Sequence, residues 1–160
     1  MHDIVPIEKI EHFIQEIRKD KKRRIVFTNG CFDLLHRGHV QYLEQAKNLG
    51  DLLLIGLNSN ASVARLKGNQ RPYIDQLDRA FIISRLEAVD IVCVFDEDTP
   101  LRLIRKIKPD VLVKGGDYEL DGIVGRDFVE SYGGKVQTIA FINGLSSTNI
   151  IEKIKDEKND

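Results

Sequence analysis

Apolar residues in this chain fall into short continuous runs separated by stretches of helical period. The runs cover residues 25–27, 52–57, 91–95, 111–113 and 136–141. They do not alternate apolar with polar as a strand with one wet face does, so they read as strands covered on both sides. Between and after them, residues 40–49, 77–88, 100–107, 125–132 and 148–155 carry the spacing of amphipathic helices. Ahead of the first run, Ile7, Ile10, Phe13, Ile14 and Ile17 mark one face of a helix over residues 6–19, with Pro6 suited to its first turn. Thr99-Pro100 reads as an N-cap followed by proline at the first helical position, and Pro109-Asp110 as a break before a strand. Strands alternating with helices predict an α/β fold, a doubly wound parallel sheet of about five strands with an N-terminal helix.

In such a sheet, ligands bind outside the carboxyl ends of the strands. Four of the five runs lead into polar or glycine-rich clusters at that edge. These are Thr28-Asn29-Gly30, Asn58-Ser59-Asn60, Lys114-Gly115-Gly116-Asp117, and Asn143-Gly144 with Ser146-Ser147-Thr148. Their coincidence predicts one composite site. After residues 25–27 the chain reads as strand, turn and helix start. Gly30 allows a sharp turn and close backbone approach, and a helix starting near Gly38 aims unpaired N–H groups at the same place. His36 and His39, at i and i+3, add movable positive charge. The stretch reads as a nucleotide phosphate site.

Composition narrows the classes. The length of 160 residues suits a single domain over 1–160, with 42% hydrophobic and 31% charged residues arguing against disorder. With 24 basic against 25 acidic residues, net charge is −1, and nothing global advertises nucleic acid or an anionic membrane. The run Lys21-Lys22-Arg23-Arg24 accordingly reads as a solvated turn. Cys31 and Cys93 cannot make a disulfide framework, and Cys93 reads as a small core residue. No long apolar stretch suggests a signal peptide or membrane span, so a cytoplasmic location is expected. The polar tail, residues 156–160, is expected to fray.

The residues Gly30-Cys31-Phe32-Asp33, followed by His36-Arg37-Gly38-His39, resemble the GxFDxxHxGH signature of cytidylyltransferase-like nucleotidyltransferases, a Rossmann-like superfamily. Thr28 to Asp33, taken with Val113-Lys114-Gly115-Gly116-Asp117-Tyr118, is similar to its heptose 1-phosphate adenylyltransferases. The resemblance spans residues 25–154, leaving no room for the sugar kinase fused to some members. It implies transfer of AMP from ATP to a heptose 1-phosphate, giving ADP-heptose and pyrophosphate for lipopolysaccharide core or a similar surface glycan. ATP and a phosphosugar are the implied partners, with Mg2+ accompanying ATP.

The resemblance also assigns roles. His36 and His39 contact the phosphates and stabilise charge at the reacting phosphorus, and Lys47 reaches the phosphates. Thr28, Asn29, Gly30, Cys31, Phe32, Gly38, Lys114, Gly115, Gly116, Ser146, Ser147 and Thr148 bind the nucleotide. Ser146-Ser147-Thr148 departs from the family's S-T-T by one methyl. Asp33, Asn58, Arg71 and Asp117 bind the substrate, and Lys67 is a weaker candidate. Arg79 admits either a site contact or a structural salt bridge. A general base is not required, because a phosphate monoester, with its second pKa of about 6, is already largely a dianion at neutral pH.

Cys31, Asp33, His36 and His39 have spacings that zinc could use. A glycine-bearing helix start is instead the geometry of an anion cradle, and magnesium carried on substrate phosphates needs few protein ligands. Two rival functions stand beside the first: a cytidylyltransferase for glycerol 3-phosphate or a similar ester, and a non-catalytic nucleotide-binding module. The resemblance allows a homodimer, although the apolar pattern singles out no exposed helix face.

Overall fold

The computed structural model describes residues 2–116, 119–140 and 146–156. In chain order the elements are β1 (Asp3–Ile4), α1 (Ile10–Arg18), β2 (Ile25–Gly30), α2 (Arg37–Lys47), β3 (Leu52–Asn58), α3 (Asn60–Lys67) and α4 (Gln76–Ser84). They continue with β4 (Ile91–Phe95), α5 (Leu101–Ile107), β5 (Val111–Gly115), a 3-10 turn (Leu120–Gly122), α6 (Arg126–Ser131), β6 (Lys135–Ile139) and α7 (Ser147–Asp156).

All strands are parallel, in the order β1-β4-β3-β2-β5-β6. The chain winds outward from β2 through β3 to β4, then returns to β2's other side as β5 and moves on to β6. The doubly wound expectation therefore holds, with six strands among the described residues rather than about five. The additional strand, β1, has only two residues and pairs with β4 at the sheet edge. So short a pairing leaves no periodicity to read. Helix α3 was also unexpected: it buries only Ser62 and Val63, so it lacks an apolar stripe, and it starts from a Ser59 N-cap. Helix α2 begins at Arg37, earlier than residue 40, and α4 ends at Ser84 rather than 88.

Alternation along the buried strands divides the core in two. Ile25, Phe27, Leu54, Ile91 and Cys93 face α1 and α5, where Ile10, Ile14, Leu103 and Ile104 meet them. Val26, Leu53, Ile55, Leu57 and Val92 face α2 and α4, against Leu43, Ala46, Ala80 and Ile83. Both faces of β2 to β5 are covered, which is why those runs are continuously apolar. Strand β6, at the sheet edge, instead exposes Lys135, Gln137 and Thr138, so the expectation of a strand covered on both sides does not hold for it.

At the amino edge, carboxylates satisfy the first strand N–H groups. Asp110 Oδ2 accepts from Ile25 N and from Arg18 Nη1, both at 2.7 Å. Asp90 Oδ2 accepts from Leu53 N at 2.7 Å, and Asp51 Oδ2 accepts from Arg24 N at 2.7 Å. Each carboxylate precedes one strand and holds the backbone at the start of a neighbouring one. Asp110→Ala would leave the Ile25 amide, on a fully buried residue, and the Arg18 guanidinium without this acceptor. It should lower unfolding free energy by about 1–3 kcal/mol in urea titrations. Asp110→Asn, which keeps one acceptor oxygen, should lose less.

Candidate active site

Strand order reverses between β2 and β5, and a cavity of about 440 Å³ opens at their carboxyl ends. That is the crevice where doubly wound sheets bind ligands, and the volume falls in the range of small-molecule sites. Asn29, Gly30, Cys31, Phe32 and Asp33 supply one wall, His39 and Tyr42 the second, Asn58 and Lys67 the third, and Lys114, Gly115 and Ser147 the fourth.

The loop after β2 is shaped by Phe32, which takes a left-handed φ of 45°. Its ring lies over Gly30, where a Cβ would sit 2.9 Å from the ring's Cε2. Gly30 is thus required by a close approach. The Phe32 ring centroid is 5.4 Å from that of His39, and His39 lies against His36 at 3.9 Å with planes 32° apart. His36 N donates to His39 Nδ1 at 3.4 Å. That bond makes Nδ1 the acceptor, so neutral His39 carries its proton on Nε2.

Burial, then the neighbouring His36 and Lys67, push His39 down from 6.5 to about 4. Burial also lowers His36. The expectation of movable positive charge is therefore corrected: at neutral pH His39 is an uncharged hydrogen-bond donor. Lys114 and Lys67 are the lysines of the cavity wall, and Lys114 Nζ donates to Asn29 Oδ1 at 2.8 Å across the β5–β2 reversal. Burial lowers its pKa too.

Asp33 is 2% exposed and fully engaged. It accepts from Tyr73 N and Ile74 N at 2.8 and 3.0 Å, and from Arg71 Nε at 2.6 Å. Burial pushes its pKa up, but the two backbone donors and Arg71 outweigh that and hold it below the usual carboxylate range. Arg71 is turned to Asp33, does not line the cavity, and its Nη2 has no partner among the described residues. Arg79, 1% exposed, donates to the carbonyls of Ile74, Cys31 and Asn58 and to Asn60 Oδ1. It is a structural tie made through neutral acceptors, neither a site contact nor the salt bridge weighed from sequence. Burial raises the Cys31 thiol, which keeps it protonated at the cavity wall.

Other expected residues divide between the wall and its support. Asn58 lines the cavity while its Nδ2 donates to Ser62 Oγ. Ser147 lines it and donates from Oγ to the Leu34 carbonyl at 2.9 Å. Ser146 Oγ accepts from Asn149 N, and Thr148 is exposed in the first turn of α7. Gly116, at φ 101°, donates its N–H to the Ile139 carbonyl. Gly38 is buried in the first turn of α2. Thr28 lies wholly buried beneath the wall, with Oγ1 2.6 Å from Tyr42 OH. Asp117, Tyr118 and residues 141–145 and 157–160 lie outside the described residues.

Lys47 is a correction. It sits in the last turn of α2, where its ammonium pairs with Asp90 and donates to the Asp51 carbonyl at the amino edge. Other parts of the wall were missed: first the stretch Asp98, Thr99 and Pro100 after β4, then the separate residues Leu66 and Val124 at its margin. The strand-edge rule, applied to the run over residues 91–95, would have found the first.

Among the described residues, no group of three or more His, Cys, Asp or Glu could hold a metal ion. Of the lining carboxylates, Asp33 is saturated and Asp98 is paired with Arg65.

A doubly wound sheet with this histidine-bearing helix start at its reversal defines a domain of the nucleotidyltransferase superfamily. The chain belongs to the cytidylyltransferase-like family, whose model matches residues 27–153. It is 61% identical over 141 residues to the bifunctional protein HldE of Geobacter metallireducens, and 55% over 159 residues to that of Campylobacter concisus. Those matches cover 88% and 99% of this chain but 29% and 32% of the relatives, so the chain spans about a third of their length. It is also similar to a lipopolysaccharide core biosynthesis protein from Thermoplasma volcanium, at 30% identity and TM-score 0.61, covering 75% of this chain and 97% of that one. A pantoate-beta-alanine ligase from Francisella tularensis, 17% identical with TM-score 0.61, shares the fold.

The depressed His39 pKa has a consequence for stability. Between about 4 and 6.5 the unfolded chain binds a proton that the folded chain does not. Stability should therefore be level in this respect above that window and fall as pH drops through it. Urea titrations near pH 7 and pH 5 should show a larger loss for the parent than for His39→Gln. Equal losses would mean that His39 is not held neutral by the fold.

Proposed function

We propose that the chain transfers AMP from ATP to a heptose 1-phosphate, releasing pyrophosphate and forming ADP-heptose for a lipopolysaccharide core or related surface glycan. The observation that carries the chemistry is the presence of His39 and Lys114 on one cavity at the strand reversal. The acceptor is supported by the similarity to HldE proteins and to a lipopolysaccharide core biosynthesis protein.

In this reading a phosphate oxygen of the acceptor forms a bond to the α-phosphorus of ATP. The bond from that phosphorus to its α,β-bridging oxygen breaks, and pyrophosphate leaves with the electron pair. The acceptor's second pKa of about 6 leaves no proton that a base must remove. Catalysis then needs alignment and donors aimed at developing charge. His39 Nε2–H is such a donor, and as a neutral group it has little attraction for ground-state phosphate. Lys114 supplies positive charge, and the start of α7 at Ser147 adds backbone donors. Asn29, Gly30 and Asn58 complete the surface offered to nucleotide and sugar.

Mg2+ fits as an ion carried on the triphosphate, where it would neutralise charge, because the lining carboxylates are committed elsewhere. No helix among the described residues is long and apolar enough to cross a membrane.

Pyrophosphate release tests the assignment. ATP with heptose 1-phosphate should turn over far faster than CTP with glycerol 3-phosphate. The reverse order would make the chain a cytidylyltransferase, and no release from any pair would favour a non-catalytic module.

Mechanism is tested at His39. His39→Ala should lower kcat by about 10²–10³, as loss of one oxyanion-type donor does, with a much smaller change in ATP affinity. His39→Asn, which restores a neutral donor, should recover part of the rate. Equal, near-total loss in both variants would instead point to proton transfer.

A further inference from the structure

The cavity has two ends of different chemistry. At the strand reversal it carries Lys114 and His39, and beyond β3 its wall passes to Asp98 and Thr99, which follow β4. In the sheet β4 lies two strands from β2 and three from β5, which at about 4.8 Å per strand is roughly 10 and 14 Å. Phe95 is level with Asn58 at the end of β3, so Asp98 stands at the same carboxyl edge as the rest of the wall.

Asp98 and Thr99 carry polar atoms that the fold does not use. Asp98 Oδ1 accepts from Arg65 Nε at 2.6 Å, while Oδ2 accepts no hydrogen bond among the described residues. Arg65 is held in turn by the Asp96 carbonyl, which fixes the carboxylate it binds. Thr99 has the residue type of an N-cap, yet α5 begins from Pro100 with no side-chain cap bond. The Thr99 side chain is instead exposed on the cavity wall.

We propose that Asp98 and Thr99 select the acceptor by binding the hydroxyl groups at its end remote from the phosphate. This deepens the reading of the acceptor as a heptose 1-phosphate and rests on it. Pairing with Arg65 leaves the β4 end little net charge to draw a phosphate, whereas a carboxylate oxygen with spare lone pairs favours an O–H donor. Thr99 can donate to a second hydroxyl oxygen. One accepting group beside one donating group suits a vicinal diol. Gly115, whose backbone a base can approach closely, lies at the opposite end, which leaves the β4 end to the acceptor. With the acceptor phosphate at the reversal, its diol must lie about 10 Å away, two strand spacings. The hydroxyls on the sixth and seventh carbons of a heptose lie across the ring from its phosphate and meet that requirement. Arg65 acts through Asp98, as a positioning residue.

Initial rates of the whole chain with ATP test it, using heptose 1-phosphate and mannose 1-phosphate, which lacks the seventh carbon. The parent should favour the heptose, and Asp98→Ala should cut that ratio of kcat/KM by about tenfold or more, as loss of a hydrogen bond to a charged group does. The loss should appear mainly in KM for the heptose 1-phosphate, with much smaller changes in KM for ATP and in the preference for ATP over 2′-deoxy-ATP. Thr99→Val, which keeps the shape, should act in the same direction and more weakly. A parent that treats the two sugars alike, or a ratio unchanged in both variants, would overturn the proposal while the heptose reading stood. Lost preference for ATP over 2′-deoxy-ATP, with the sugar ratio intact, would move the diol site to the ribose and overturn it as well. A parent that uses neither sugar phosphate would refute the acceptor reading itself, and this inference with it.

Discussion

The buried carboxylate of Asp33 is the interaction on which the cavity depends. A charge at 2% exposure survives only if donors surround it, and Asp33 is surrounded by a guanidinium and two backbone N–H groups from residues 71–74. Those donors lie in the segment between α3 and α4, so one side chain fastens the loop after β2 to the segment beyond β3. Arg79 reinforces the joint from below by binding carbonyls of Cys31, Asn58 and Ile74 together. Only a planar side chain with five donors can hold so many acceptors at fixed angles. The wall is thereby assembled from three separate stretches of chain without an apolar core of its own.

That construction sets the electrostatics. Asp33 faces the cavity but is neutralised by Arg71, and Asp98 is paired with Arg65, so neither carboxylate opposes an incoming phosphate at full strength. Lys114 has a lowered pKa because its ammonium is desolvated, a penalty that an adjacent phosphate anion would reverse. His39 contributes direction without charge. In the proposed reaction, Lys114 and Lys67 would attract polyphosphate, and His39 would offer a neutral donor to charge that appears later.

The strand runs were legible because both sheet faces are covered, and the clusters after them pointed to the right edge. Position within a run of sequence was less informative than direction in space. Lys47 follows His39 by eight residues, which on a helix is about 12 Å, and α2 runs back against the strands. That distance carries Lys47 to the amino edge, where Asp90 takes it. Asp33 and Arg71 illustrate a different limit. Their types were readable as site residues, but their mutual pairing at 2.6 Å spans 38 positions and no local pattern announces it. Elements too short or too polar to carry a period, β1 and α3, were not legible for the same reason: periodicity reports burial, and these bury little.

The Asp33 joint also connects the cavity to the outer surface. Residues 71–75 hold Asp33 at one end and, through the Asp75 N-cap on Leu77 N, start α4 at the other. A segment fixed at both ends loses less entropy when ligand binds than one fixed at a single end.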